Sequence, residues 1–157
     1  QLREMLYNIA ARQVERVWAE DLDRRAKLSI LNSMWVNGLT GRCWKIKEKS
    51  QRRALMMLRG GSAALQIETG RWRGIPREER LCRECGSDRE IESASHFLLH
   101  CPRWELKRRP LLSRVMDACP GFDSVCEDMK SALIMDLACE DTYTAQMIFS
   151  MWTARFG

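Results

Sequence analysis

The sequence predicts a mainly α-helical domain with a small loop-rich insert that contains a Cys/His motif. Apolar residues recur at steps of three and four over long segments, which is the period of an amphipathic helix. The alternation of apolar and polar residues that is typical of strands is scarce. Three of the seven cysteines and both histidines fall between residues 80 and 104, in a polar stretch without helical periodicity. The sequence therefore predicts a helical framework around one short insert.

Seven helices are predicted from this periodicity and its interruptions. Ser62 is the expected N-cap of a short helix, and Pro110 is the expected first residue of a new one. Helices are expected over residues 2–35, 42–59, 62–70, 103–109, 110–119, 124–137 and 141–157. They form an N-terminal helical region at 1–59, a basic segment with the Cys/His insert at 60–110, and C-terminal helices at 111–157.

The charge of the chain is divided unevenly along its length. Residues 1–115 carry 24 basic against 14 acidic residues, a net of +10, whereas the rest carries two against seven, a net of −5. A basic body points toward a polyanion such as nucleic acid. No run approaches the roughly 18 apolar residues of a membrane-spanning helix, so a membrane is not an expected partner. Because the chain begins at Gln1, we expect it to be a piece of a longer protein.

The cysteines and histidines of the insert have the spacing of a metal site. Cys82 and Cys85 form a C-x2-C pair, and Gly86 suits the tight turn that lets both thiolates reach one ion. His96 follows after ten residues and Cys101 after four more, which gives four soft ligands for a tetrahedral Zn²⁺. Four protein ligands leave no position for water, so one structural zinc ion is predicted. The other cysteines (Cys43, Cys119, Cys126 and Cys139) read as thiols of a reducing compartment.

Two residues compete for the fourth ligand position. His100 lies four residues after His96 and would share a helical face with it, which gives a Cys2His2 set. Cys101 precedes Pro102, and a residue before proline favours an extended backbone that can turn its thiolate back toward the ion. The sequence favours Cys101 and leaves His100 as the alternative.

These residues resemble a known family. The stretches "IETGRWRGIPREERLCRECG" and "HFLLHCPRW" are similar to the C-terminal region of the reverse transcriptase polyproteins of non-LTR (LINE-type) retrotransposons. In that family a Cys-Cys-His-Cys zinc knuckle follows the fingers, palm and thumb, and its ligands map onto Cys82, Cys85, His96 and Cys101. The resemblance covers roughly residues 52–157. It implies RNA or DNA and the rest of the polyprotein as partners, with the nucleus and a cytoplasmic ribonucleoprotein as locations.

The resemblance does not extend to catalysis. The paired-aspartate turn of a reverse transcriptase is missing, since no Asp-Asp pair occurs in the sequence, and neither endonuclease set of the family is found. We therefore expect no enzyme activity and no small-molecule substrate in this chain. The expected role is to grip template RNA or target DNA.

Basic segments flank the Cys/His motif on both sides. Arginine forks suit phosphate oxygens, and a tryptophan can stack on an unpaired base. The alternative for Trp72 and Trp104 is packing in the core. A second hypothesis is a structural or protein-interaction module that docks on the polymerase or on a host partner through the helix at 2–35. The predicted nucleic-acid contacts are Arg71, Trp72, Arg73, Arg77, Arg80, Arg103, Lys107, Arg108 and Arg109.

Overall fold

The computed structural model describes residues 28–39 and 41–157, and within them the fold is mainly α-helical, as predicted. These residues form no strand; one isolated antiparallel bridge joins Leu81 and Ile91. Short 3-10 turns and one π-helical turn, His96–His100, lie between the helices. The helices are α1 (Ser29–Val36), α2 (Lys49–Arg59), α3 (Gln66–Trp72), α4 (Glu105–Ala118), α5 (Glu127–Glu140) and α6 (Thr142–Phe156).

The centre of the fold is the pair α5 and α6. α1 packs on α5, α4 packs on α6, and α2 contacts both members of the pair. The buried side chains form one apolar cluster that runs from Ile30 to Met151. Its central members come from α5 and α6: Ala132, Ile134, Met135, Ala138, Ala145, Ile148 and Met151. Among the described residues no helix is long and apolar enough to cross a membrane.

The two N-terminal helices differ from the predicted ones. Of the helix predicted over 2–35, α1 falls in the described part, and residues 2–27 lie outside it. The helix predicted over 42–59 begins later, at Lys49, because the Glu48 carboxylate accepts a hydrogen bond from the Ser50 N–H and caps it there. The preceding residues form instead a 3-10 turn, Cys43–Lys45.

The short helix predicted over 62–70 is shifted toward the C-terminus. Ser62 is not its N-cap, because both the Ser62 N–H and its hydroxyl are directed at the Met57 carbonyl at the end of α2. α3 also runs through Gly70, where the prediction ended it. A Cβ at Gly70 would come within 2.7 Å of Arg80 Cγ, so this glycine serves the close approach of Arg80.

Pro110 lies inside α4, so the prediction of two separate helices on either side of it is wrong. A proline within a helix removes one N–H donor and leaves the carbonyl four residues earlier without its partner. That carbonyl belongs to Leu106, and Leu106 and Pro110 are both exposed, so water can serve it. Leu111 and Val115 are buried on the other side and hold the continuous helix against the core.

The last two helices agree closely with the prediction. α5 begins at Glu127, after a 3-10 turn at Phe122–Ser124 that occupies the start of the predicted 124–137 helix. α6 follows after a single residue, Asp141, whose carboxylate caps it by accepting from the Thr144 N–H at 3.2 Å.

Candidate metal centre

The C-x2-C pair lies in a small hairpin. The Cys82 N–H donates to the Glu90 carbonyl at 2.8 Å, and the Glu92 N–H donates to the Arg80 carbonyl at 3.1 Å. Between these ladder bonds the chain turns through Gly86, whose φ of +64° is the left-handed conformation that favours glycine. The ten residues between Cys85 and His96 therefore run out and back, and their return brings the chain to His96.

The other two residues of the motif lie at the start of a π-helical turn, His96–His100, and directly after its end. The Cys101 N–H donates to the His96 carbonyl at 2.7 Å, a bond that spans five residues instead of four. It places residue 101 above residue 96, where an α-helix would place residue 100. Cys101 itself has an extended ψ of 115° before Pro102, as the sequence predicts. The wider turn therefore brings Cys101 back to the side of His96.

The ligand atoms of Cys82, Cys85, His96 and Cys101 all lie within 4.8 Å of one another, so this group could hold a metal ion. The Cys82 and Cys101 sulfurs are 3.8 Å apart, and the Cys85 sulfur is 3.6 Å from His96 Nε2. Cys85 is partly exposed, whereas the other three residues are buried. We call these four residues the Cys3His cluster.

His100, the alternative fourth ligand, points elsewhere. Its side chain is 45% exposed, and its Nε2 lies 2.8 Å from the Glu127 carboxylate at the start of α5. It does not belong to the group of ligand atoms that the structure brings together. The arrangement therefore favours Cys101, the choice that the sequence also favoured.

Burial sets the protonation of the metal-free cluster. Removal from water raises the pKa of the Cys82 thiol and raises that of Cys101 to about 12, because it disfavours the thiolate. The same effect lowers the pKa of His96, which favours the neutral imidazole that can bind a metal. A cation would have to replace the thiol protons, since the thiolate is the ligand form.

Two charged residues surround the cluster. The Glu90 carboxylate lies 3.6 Å from His96 Nδ1, the ring nitrogen that faces away from Cys85. This distance is too long for a hydrogen bond, and that buried nitrogen has no hydrogen-bond partner. Arg108 of α4 is 2% exposed and donates from Nη2 to the Cys101 carbonyl, while its buried Nη1 has no partner. A buried cation thus lies beside the cluster.

A second buried charge connects the hairpin to the helices. The Glu92 carboxylate is 1% exposed and accepts from the Gln66 N–H at 2.8 Å and from Arg155 of α6 at 2.8 Å. Arg155 also lies 3.5 Å from Glu84, between the two hairpin cysteines. Arg155 and Glu92 are not among the predicted site residues, and nothing in the sequence between Cys85 and His96 distinguishes Glu92 from its neighbour Glu90.

In the N-terminal basic segment, residues 71–80, one arginine has a structural role and the other predicted contacts are exposed. Arg80 donates to the Ile67 carbonyl at 3.0 Å and to the Ile75 carbonyl at 2.8 Å, so its guanidinium holds this segment to the base of the hairpin. The remaining predicted contacts are exposed: Arg71, Trp72, Arg73 and Arg77.

In the C-terminal basic segment, residues 103–109, two of the side chains are buried. Trp104 is 4% exposed and packs edge to face on Phe97, with 6.0 Å between the ring centroids. For this tryptophan the core-packing alternative is therefore correct. Because Arg108 is buried against Cys101, the prediction that it contacts nucleic acid does not hold in this fold. The exposed cations are Arg103, Lys107 and Arg109.

No family model, curated protein or solved structure matches this chain.

Proposed function

We propose that the chain is a zinc-stabilised nucleic-acid-binding domain without chemistry of its own. The retrotransposon resemblance supports a place in a non-LTR reverse transcriptase polyprotein, with RNA or DNA as partner in the nucleus and in a cytoplasmic ribonucleoprotein. The observation that carries the proposal is a physical connection. The Cys3His cluster closes the hairpin, and the hairpin begins at Arg80, which anchors the exposed basic segment.

Zinc is the metal that we propose for the cluster. Zn–S and Zn–N bonds of about 2.3 and 2.0 Å at tetrahedral angles give S–S and S–N separations of about 3.8 and 3.5 Å. The cluster shows 3.8 Å between the Cys82 and Cys101 sulfurs and 3.6 Å between Cys85 and His96 Nε2. Three thiolates and an imidazole also form a donor set that selects zinc over hard cations. Such an ion would supply folding energy, because all four positions are filled by protein.

The exposed arginines supply the binding chemistry. Arg71, Arg73 and Arg77 lie within seven residues of one another on a segment that Arg80 holds in place. Guanidinium groups bind phosphate oxygens through paired N–H donors. Such contacts grip a backbone without reading its sequence, and each one increases the dependence of affinity on salt.

A salt series on purified protein tests the proposal. Arg71, Arg73 and Arg77 are changed together to alanine, and affinity for structured RNA and for single- and double-stranded DNA is measured. We expect a loss of tenfold or more and a salt slope smaller by about two to three. The matched control is the triple alanine variant of Arg42, Arg53 and Arg89. These arginines are exposed on other parts of the surface, and the variant removes the same amount of charge. If both variants lose the same amount of affinity, the effect is one of total charge and not of this segment, and the proposal is contradicted.

The zinc ligands are tested with two further variants in the same binding measurements. Cys101→Ser should lose the metal and weaken binding, since the hairpin no longer holds the basic segment. His100→Ala should keep one zinc per chain and wild-type binding. Zinc retained in Cys101→Ser but lost in His100→Ala would overturn the ligand assignment.

An interaction module that docks on the polymerase or on a host partner is the competing function. The helix predicted to carry that docking lies mainly outside the described residues. If the wild-type protein binds none of the nucleic acids, this second function takes precedence.

A further inference from the structure

One buried carboxylate orients two exposed side chains of α3. Glu68 is 4% exposed, and it accepts a hydrogen bond from the Trp72 indole N–H at 3.1 Å. Its other oxygen accepts from Arg71 Nε at 3.1 Å, and Arg71 Nη2 also contacts the carboxylate. The indole and the guanidinium are therefore held in fixed positions at the surface by a group that is itself inside the protein.

Trp72 differs in this respect from Trp35 and Trp44, the other exposed tryptophans among the described residues. It is 63% exposed, compared with 46% for Trp35 and 72% for Trp44. In the part of the chain that the structure describes, neither Trp35 nor Trp44 donates a hydrogen bond from its indole. An exposed apolar ring normally gains nothing from being held in place, because it loses rotamer freedom there. Such ordering does favour a ligand, since less freedom remains to be lost on binding.

Arginine side chains lie on both sides of the Trp72 ring along the surface. Arg73 is held by the Thr69 carbonyl at 3.2 Å and by the Gln66 side-chain oxygen at 2.9 Å. On the other side, Arg71 lines a groove of about 650 Å³ together with Arg77 and Arg80, above apolar side chains that include Ile67.

The same groove is acidic where it meets α5, because Glu127 and Asp128 line it there. A polyanion would therefore follow the arginine side, next to Trp72. The charges and the ring together define a path along α3 rather than across the groove.

We infer that Trp72 is a stacking platform for an unpaired base, and that Arg71 and Arg73 contact the phosphates on either side of it. This inference rests on the proposed function and names its substrate class: single-stranded RNA or DNA, or an unpaired stretch of a folded RNA. A base can stack on a tryptophan when its own face is free, and in a duplex both faces are already covered by neighbouring base pairs.

The test compares single strands with a duplex. The probes are a uridine 12-mer RNA, a thymidine 12-mer DNA and a blunt 20-base-pair DNA duplex, at one salt concentration. Trp72→Ala should weaken binding to both single strands by about tenfold or more, and to the duplex by less than twofold. Trp72→Phe should recover part of the loss. Trp44→Ala is the control, because its ring is exposed at least as much as that of Trp72, and it should leave all three affinities unchanged.

The possible failures are distinguishable. If the wild-type chain binds none of the probes, the proposed function itself fails. If it binds them, and Trp72→Ala changes nothing or weakens single strands and duplex equally, the stacking inference is wrong while nucleic-acid binding stands. Zinc content and circular dichroism of Trp72→Ala should match the wild type, because its ring is not part of the core.

Discussion

The two basic segments that flank the Cys3His cluster have similar compositions but opposite dispositions. Each places a tryptophan among arginines, in "RWRGIPREER" before the cluster and in "RWELKRR" after it. Trp72 lies at the surface and Trp104 in the core. Arg73 is exposed at the surface, whereas Arg108 is buried against the Cys101 carbonyl. Both segments present exposed cations, but only the second also places a tryptophan and an arginine in the interior beside the cluster.

The backbone that precedes each segment explains the difference. Trp104 ends a 3-10 turn that begins directly after Cys101, and its ring packs edge to face on Phe97. Trp72 ends α3, the helix whose first residue, Gln66, donates to Glu92 of the hairpin and whose Ile67 carbonyl accepts from Arg80. The tryptophan three residues from a member of the Cys3His cluster is buried, whereas the one ten residues away is exposed. Composition alone does not carry that information.

The largest expected effect comes from exchanging each tryptophan for alanine. Trp104→Ala removes a buried ring and its contact with Phe97, and it should lower the free energy of unfolding by about 3–5 kcal/mol. Trp72→Ala should change it by less than about 0.5 kcal/mol, since the ring is mostly exposed. Urea denaturation of both variants with zinc present measures the contrast. Similar losses would mean that the two segments do not differ in the proposed way.

Arg108→Met is expected to have two effects of opposite sign. In metal-free protein the buried guanidinium has an unpaired Nη1, so an apolar side chain of similar length should maintain or raise stability. With zinc bound, three thiolates around one divalent ion leave a net negative charge that Arg108 partly neutralises. Zinc affinity should therefore fall by about 10- to 100-fold.

A competition titration with a chelating dye measures this change. Arg109→Met is the matched control, because Arg109 is the exposed neighbour that pairs with Glu105. Unchanged zinc affinity in Arg108→Met would limit Arg108 to a packing role.

The sequence was sufficient to predict the helical class and the ligand spacing, because these depend on local periodicity and on a short turn. It favoured Cys101 but left His100 as an alternative, since the placement of the two side chains depends on one hydrogen bond that spans five residues instead of four. Arg108 was misread for a related reason. Its neighbours Lys107 and Arg109 are exposed, and burial at that position follows from how α4 lies against the cluster. Glu92 was missed because its partners lie 26 and 63 residues away.

The smallest expected effect concerns another arginine of α4. The Arg114 Nε lies 3.1 Å from the carboxylate of Asp141, the N-cap of α6. This ion pair joins α4 to the start of α6. Hydrogen bonds from Arg114 and Thr144 lower the pKa of Asp141 to about 2, from 3.8. Because the folded pKa is depressed, the stabilisation is fully present above about pH 4 and is lost as the pH falls toward 2.

Asp141→Ala should therefore lower the free energy of unfolding by about 1 kcal/mol at pH 7, most of it from the helix cap. The exposed part of the ion pair adds little, since Arg114 is half exposed. Denaturant unfolding of wild type and variant at pH 7 and pH 2.5 gives the difference at each pH. The two values should converge in acid, and a difference that persists undiminished at pH 2.5 would show that the Asp141 charge does not stabilise the start of α6.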